Sequence, residues 1–155
     1  MNDINNIYKM LNWENPPEVL AEGIKQAHKI NDLALLIQPP AAPSVWEYCA
    51  KILYEKSDNE LEPHLDDLLK WLQDLNWPGA LIILDRLKIF SGKKLKKPFI
   101  DSYTYAINLN NEEGLMWLDY LSELLDNEQL RAELPKEITD KLQEHYHNWG
   151  DWYDE

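Results

Sequence analysis

Apolar residues along this chain recur with a helical period almost throughout. Leu61, Leu65, Leu68, Leu72 and Leu75 follow one another at intervals of four and three, and Trp71 widens their stripe. That spacing predicts a helix buried along one side. The stripe ends in a turn at Asn76-Trp77-Pro78. A second helix, Pro78 to Phe90, then begins with Ala80-Leu-Ile-Ile-Leu84 and is apolar on almost every side in its first turns. Such a helix belongs inside the molecule, so this helix–turn–helix is expected to be the hinge on which the other pairs hang. Pro78 is expected at its first position, where the missing N–H costs nothing, after a turn or left-handed Asn76.

On the N-terminal side, Ile4, Ile7, Tyr8 and Leu11 predict a helix over residues 3–11, and Asn15-Pro16-Pro17-Glu18 reads as the capped start of another, ending near Ile30. Asn31 should cap a short helix over 32–37. Three prolines in Pro39-Pro40-Ala41-Ala42-Pro43 exclude helix and predict a stiff connector. Ser44 is expected to open a helix carrying Val45, Cys49 and Ile52. Ser57-Asp-Asn-Glu60 is a capping box, and Pro63 a first-turn proline. After Phe90 comes Ser91-Gly92 and an expected lysine-rich loop. Pro98 should then open a helix bearing Phe99, Ile100, Tyr103, Ala106 and Ile107. Asn110 with Glu113 predicts the start of a helix over 111–126, in which Glu112, Asp119, Glu123 and Asp126 form a polar stripe opposite Leu118, Leu121 and Leu125. A short helix over 127–134 and a last one from Pro135 to about His147 complete the set.

No segment alternates with period two, so the predicted class is all-α. Helix starts repeat at Pro63 and Pro98, 35 apart, at Pro78 and Asn110, 32 apart, and at Pro98 and Pro135, 37 apart. This punctuation predicts a short HEAT- or armadillo-like α-α superhelix of stacked helical pairs. Residues 1–155 are read as a single helical domain: N-terminal helices and a Pro-rich connector over 1–43, a helical-pair core over 44–147, and an acidic aromatic tail over 148–155.

The central turn carries a resemblance. Trp71, Leu72, Asp74, Asn76, Trp77, Pro78 and Ala80 match the Asp-x-Asn-Trp-Pro signature of a family of small bacterial proteins, the domain-of-unknown-function family 5071. The match is read over Leu61 to Leu125. It implies a HEAT-like helical domain and carries no activity with it. Small acidic proteins of this kind resemble, by class and not by motif, the immunity proteins of bacterial toxin systems.

Charge narrows the partners. Fifteen basic residues face 28 acidic ones, a net charge of −13, which disfavours phosphate backbones and so nucleic acid. Six basic residues are gathered between Arg86 and Lys97 with no acid among them, leaving −19 for the rest; they are read as a solvated segment balancing nearby helix C-terminal carbonyls. Between Glu112 and Glu155 there are 13 acids and 3 bases, interleaved with Trp117, Tyr120, Tyr146, Trp149, Trp152 and Tyr153. Acid with aromatic is the complement of a basic protein surface, because charge speeds encounter and rings supply buried contact.

Catalytic chemistry finds little support. The four histidines form no i, i+4 pair, and with one cysteine there is no His-Glu-x-x-His or Cys-x-x-Cys metal set. Cys49 lies on an apolar helix face, where a thiol is inert. Five glycines build no phosphate loop. Neither a cofactor nor a metal is expected. The lone cysteine and the absence of a leader or of an apolar run of about 20 residues point to the cytoplasm, with no membrane partner.

The expectation is therefore a non-enzymatic protein-binding module, most concretely an immunity-type protein that masks a basic toxin; the alternative is a helical-repeat scaffold. Candidate partner-binding residues are Asp74 and Trp77 at the central turn, Asp119 and Glu123 on the polar stripe, and Trp149, Trp152 and Tyr153 in the tail. Asp74 has a structural alternative, a bond from its carboxylate to an exposed N–H of the following helix.

Overall fold

The computed structural model describes residues 4–153, and side chains over 4–144. Among these residues every regular element is helical. The helices are α1 (Ile4–Met10), α2 (Pro17–Ala27), α3 (Trp46–Tyr54), α4 (Asp58–Leu61), α5 (Leu65–Lys70), α6 (Ala80–Lys88), α7 (Gly92–Leu109), α8 (Glu112–Ser122), α9 (Glu128–Glu133) and α10 (Lys136–Tyr153), with short 3-10 turns between several of them. Buried apolar side chains form one cluster running from Ile7 to Leu142.

The leucine stripe is buried as its spacing requires: Leu61, Leu65, Leu68 and Leu72 are at most 2% exposed, while Leu75 is half-buried. The capping box forms, with Ser57 Oγ accepting from Glu60 N–H at 3.2 Å and Glu60 Oε1 accepting from Ser57 N–H at 3.1 Å. The Ser57 N–H, with the Ser57 hydroxyl donating to the same oxygen at 3.0 Å, holds the Glu60 carboxyl below its ordinary range.

Several elements depart from the expectation. Asn15 does not cap α2, whose N-terminal flank is Pro16; it turns back and donates Nδ2 to the carbonyls of Lys9 and Met10, closing the end of α1. Asp32, not Asn31, caps the 3-10 turn Leu33–Leu36, and α2 stops at Ala27. The Pro-rich connector is non-helical as far as Ala42 but bent, with Gln38 at φ +40° and Pro39 buried. Pro43 rather than Ser44 leads into α3 through a 3-10 turn. The expected lysine loop is helix. Gly92–Leu109 is one continuous element with Pro98 inside it, because Leu95, Phe99, Tyr103 and Ala106 bury a helical stripe. Asn110, at φ +47°, ends α7, and Asn111 caps α8 by accepting from Gly114 N–H at 2.9 Å. Helix α10 continues to Tyr153, so the backbone of the expected tail is helical almost to its end.

The basic segment is also rearranged. Arg86 is buried and reaches across from α6 to the end of α3, donating to the carbonyls of Tyr54 and Lys56 and meeting Asp58 Oδ1 at 2.7 Å. Asp58 Oδ2 in turn accepts from Ser91 N–H at 3.0 Å. Carbonyl balancing thus falls to one arginine. Lys88, Lys94 and Lys97 instead pair with Asp126, Glu62 and Asp101.

Helix α6 is not apolar-buried all round. Ile83, Leu84 and Leu87 face the core, but Leu81 is 59% and Ile89 65% exposed. Leu81, Asp85 and Ile89, spaced four apart with Ile89 just past the helix end, lie in one outward row that the run of apolar letters conceals.

Candidate functional site: an acidic aromatic groove

The central turn is built from two successive turns rather than from a helix start. Asp74 Oδ1 accepts from Asn76 N–H at 2.8 Å, and the Asp74 carbonyl accepts from Trp77 N–H at 3.1 Å. The expected bond from Asp74 to the following helix is therefore replaced by one two residues on. The Trp77 carbonyl then accepts from Ala80 N–H at 3.1 Å across Pro78 and Gly79. Gly79 has φ +85° and ψ −14°, the third-residue geometry of a type II turn with proline before it. Thus the left-handed residue is Gly79, not Asn76, and α6 begins at Ala80.

Behind the turn, Trp71 is fully buried and its indole N–H donates to the Pro78 carbonyl at 3.1 Å. Trp46 sets its ring edge-on to both Trp71 and Trp77, with centroids 6.2 and 6.1 Å away, and donates its own N–H to Pro39. Edge-to-face pairs of this kind fix ring orientation. Trp77 is therefore half-buried and held, with one side toward a cleft.

That cleft is the candidate site. A recess of about 490 Å³ is lined by Asp74 and Trp77 from the turn, Tyr105 and Leu109 from α7, and Glu113, Met116 and Trp117 from α8. A second recess, of about 330 Å³, adds Asp66, Lys70, Asp101 and Ser102. The two share Gln73, Tyr105 and Trp117, so they are parts of one groove between α5, α7 and α8. Trp117 is buried, its N–H given to the Leu69 carbonyl at 3.1 Å. Tyr105 leans edge-on against it at 6.0 Å yet stays 58% exposed. The hairpin that brings α7 and α8 together depends on Gly114, where a Cβ would stand 2.4 Å from the Ala106 carbonyl oxygen.

Four carboxylates line this groove, Asp66, Asp74, Asp101 and Glu113, against one cation, Lys70. Asp101 is partly answered by Lys97 at 3.2 Å, an exposed pair that contributes little. Lys70 leans toward Asp67 at 3.8 Å. The groove is thus an anionic trough with an aromatic floor, suited to hold a cation with an apolar stem.

Of the residues singled out from the sequence, Asp74 and Trp77 meet in this groove. Glu123 lies elsewhere, in a recess with Ser122, Asp126, Arg131 and Leu142 that shares no residue with it. Asp119 and Glu123 are half-buried, while Glu112 and Asp126 are exposed. Trp149, Trp152 and Tyr153 fall outside the residues whose side chains are described. Tyr105, Glu113, Asp66 and Asp101 escape a reading of the sequence; the available signal is that Tyr105 is an aromatic off the buried stripe of its helix.

Elsewhere, Cys49 is buried, which pushes its thiol up to about 12. Among the described residues no group of three or more His, Cys, Asp or Glu is placed to hold a metal ion, and no helix is long and apolar enough to cross a membrane.

No curated protein and no solved structure matches the chain. A family model described as Domain of unknown function (DUF5071) matches residues 47–148, more than the Leu61 to Leu125 span legible from the motif and enough to include every groove residue. With two thirds of its length matched, the chain belongs to the DUF5071 family.

Proposed function

We propose that this protein is a non-enzymatic protein-binding module that works in the cytoplasm and takes a basic surface of a partner into the α5–α7–α8 groove. The most concrete form is an immunity-type protein masking a basic toxin. One observation carries the reading: four carboxylates and one lysine surround a groove in which Tyr105, 58% exposed, presents a ring set edge-on against Trp117. A net charge of −13 would steer a basic partner toward it from beyond contact range. The test is co-expression with the product of the neighbouring gene, followed by capture at low and high salt. Retention that falls at least tenfold between 50 and 500 mM NaCl, and that is lost in Asp66→Asn/Asp101→Asn/Glu113→Gln, supports the reading. Salt-independent capture by the triple variant sinks it.

A second reading, a helical-repeat scaffold, is favoured by the exposed Leu81 on α6 and Ile89 just past its end, a surface separate from the groove. In that reading α3 with α6 and α7 with α8, which pack on one another, are stacked pairs of a HEAT-like array. Binding that is lost in Leu81→Asp/Ile89→Asp and kept in the groove triple variant would select it.

A further inference from the structure

We infer that the Trp77 end of the groove is a receptor for an arginine side chain on an exposed loop of the partner protein, with Asp74 and Glu113 as its counter-charges and Tyr105 as its stacking face. This rests on the reading of the groove as a docking surface for a basic protein and specifies which basic group it takes. The chemistry of the lining makes the choice. Leu109 and Met116 give an apolar wall for a methylene stem, and Trp77, Tyr105 and Trp117 give aromatic surface. A volume of about 490 Å³ accepts a whole side chain and part of the backbone that carries it.

A guanidinium uses such a lining better than an ammonium does. It is planar and weakly hydrated, stacks on an aromatic ring, and offers forked N–H donors to carboxylates. Lysine brings a compact, strongly hydrated charge that gains less from a ring face. Tyr105 can serve because its ring is held at one edge by Trp117 while most of its surface stays open. Asp74 has one oxygen engaged by Asn76 N–H, which fixes the carboxylate, and Glu113 is exposed at the first turn of α8.

The full chain, labelled with 15N, would be titrated with three capped pentapeptides, Gly-Ser-Xaa-Gly-Ser, in which Xaa is arginine, lysine or the uncharged isostere citrulline. The readout is the Trp77 indole N–H resonance, assigned by its absence in Trp77→Phe. Expected are saturable shifts with arginine, at least threefold weaker binding of lysine, and no saturable shift with citrulline. Glu113→Gln and Asp74→Asn should each weaken the arginine peptide at least threefold; asparagine keeps the turn acceptor, so the fold survives. Tyr105→Leu should erase the preference for arginine over lysine. Asp126→Asn, in the other recess, should change nothing. Equal binding of arginine and lysine overturns this inference and leaves the groove as a general basic-protein site. Equal binding of citrulline overturns it as well. A Trp77 shift that follows the protein's own concentration without peptide puts a second copy in the groove and refutes the arginine assignment. If no basic peptide moves Trp77, both the inference and the reading beneath it fail.

Discussion

Gly79→Ala offers the sharpest test of why the central turn has its sequence. A Cβ at this position would stand 2.8 Å from Ala50 Cβ, 2.9 Å from the Trp46 carbonyl oxygen and 2.9 Å from Trp71 Cζ2. Two costs add. Holding an L-residue at φ +85° costs roughly 1–2 kcal/mol. Forcing a methyl into a packed site costs roughly 1–3 kcal/mol more, since the Trp46 oxygen is backbone and the Trp71 ring is tied to Pro78. The expected loss is therefore roughly 2–5 kcal/mol out of a domain stability of about 5–15 kcal/mol. For a chain of this size that lowers Tm by on the order of 10 °C. Urea denaturation followed by circular dichroism, with the thermal melt alongside, measures it. Gly79→Asn separates the two costs, because asparagine tolerates the left-handed region while its Cβ meets the same atoms. It should recover only a minor part of the loss. If Gly79→Ala stays within about 1 kcal/mol of the parent, or Gly79→Asn matches the parent, the packing argument is wrong.

Three further predictions concern buried polar groups. Arg86→Ala should cost roughly 2–4 kcal/mol in urea denaturation, since it leaves two carbonyls without a donor and Asp58 with Ser91 N–H alone, whereas Asp58→Asn should cost less. Asn127, buried, donates to the carbonyls of Leu87 and Phe90 and accepts from Leu130 N–H, so Asn127→Ala should cost about 2–4 kcal/mol. Asn127→Asp should be worse at pH 7 and recover as pH falls, because its carboxyl, raised by burial beside two carbonyls, folds best when protonated; a flat pH profile would contradict this. Cys49 adds an alkaline limit. Its folded pKa is raised from 9.0 to about 12, so its contribution is fully present below pH 9 and is lost as pH rises toward 12, by roughly 4 kcal/mol at full transfer. Burial pushes Tyr8 and Tyr103 in the same direction. Cys49→Ala should flatten the pH 9–12 decline in urea midpoint, and native Cys49 should resist a thiol reagent at pH 8.

What could be read from the sequence is what is decided locally. The Ser57–Glu60 box and the leucine stripe need only neighbours three and four residues away, and both are present. Errors arise where a distant group decides. Residues 93–97 read as loop by composition, but Lys94 finds Glu62 and Asn59 from another segment, and Leu95 and Phe99 are drawn into the core. Asn15 had two carbonyls behind it to satisfy and no need to look forward. Two residues of the groove, Asp74 and Trp77, were legible because they belong to a motif. Its remaining wall is created when α7 and α8 cross at Gly114, and no periodicity within either helix encodes that crossing.

Trp46 has a consequence for how the protein comes apart. The family match begins at residue 47, yet this neighbouring indole braces both Trp71 and Trp77, while Lys56 Nζ reaches the His28 carbonyl and Ile7, Leu11, Leu33 and Leu36 share one buried cluster with Cys49, Ile52 and Leu53. The inherited unit is therefore smaller than the cooperative one. A fragment trimmed to the matched residues would bare two indoles at its new edge and associate through them, and the intact chain should melt in one transition rather than shed its first 46 residues as a separate step.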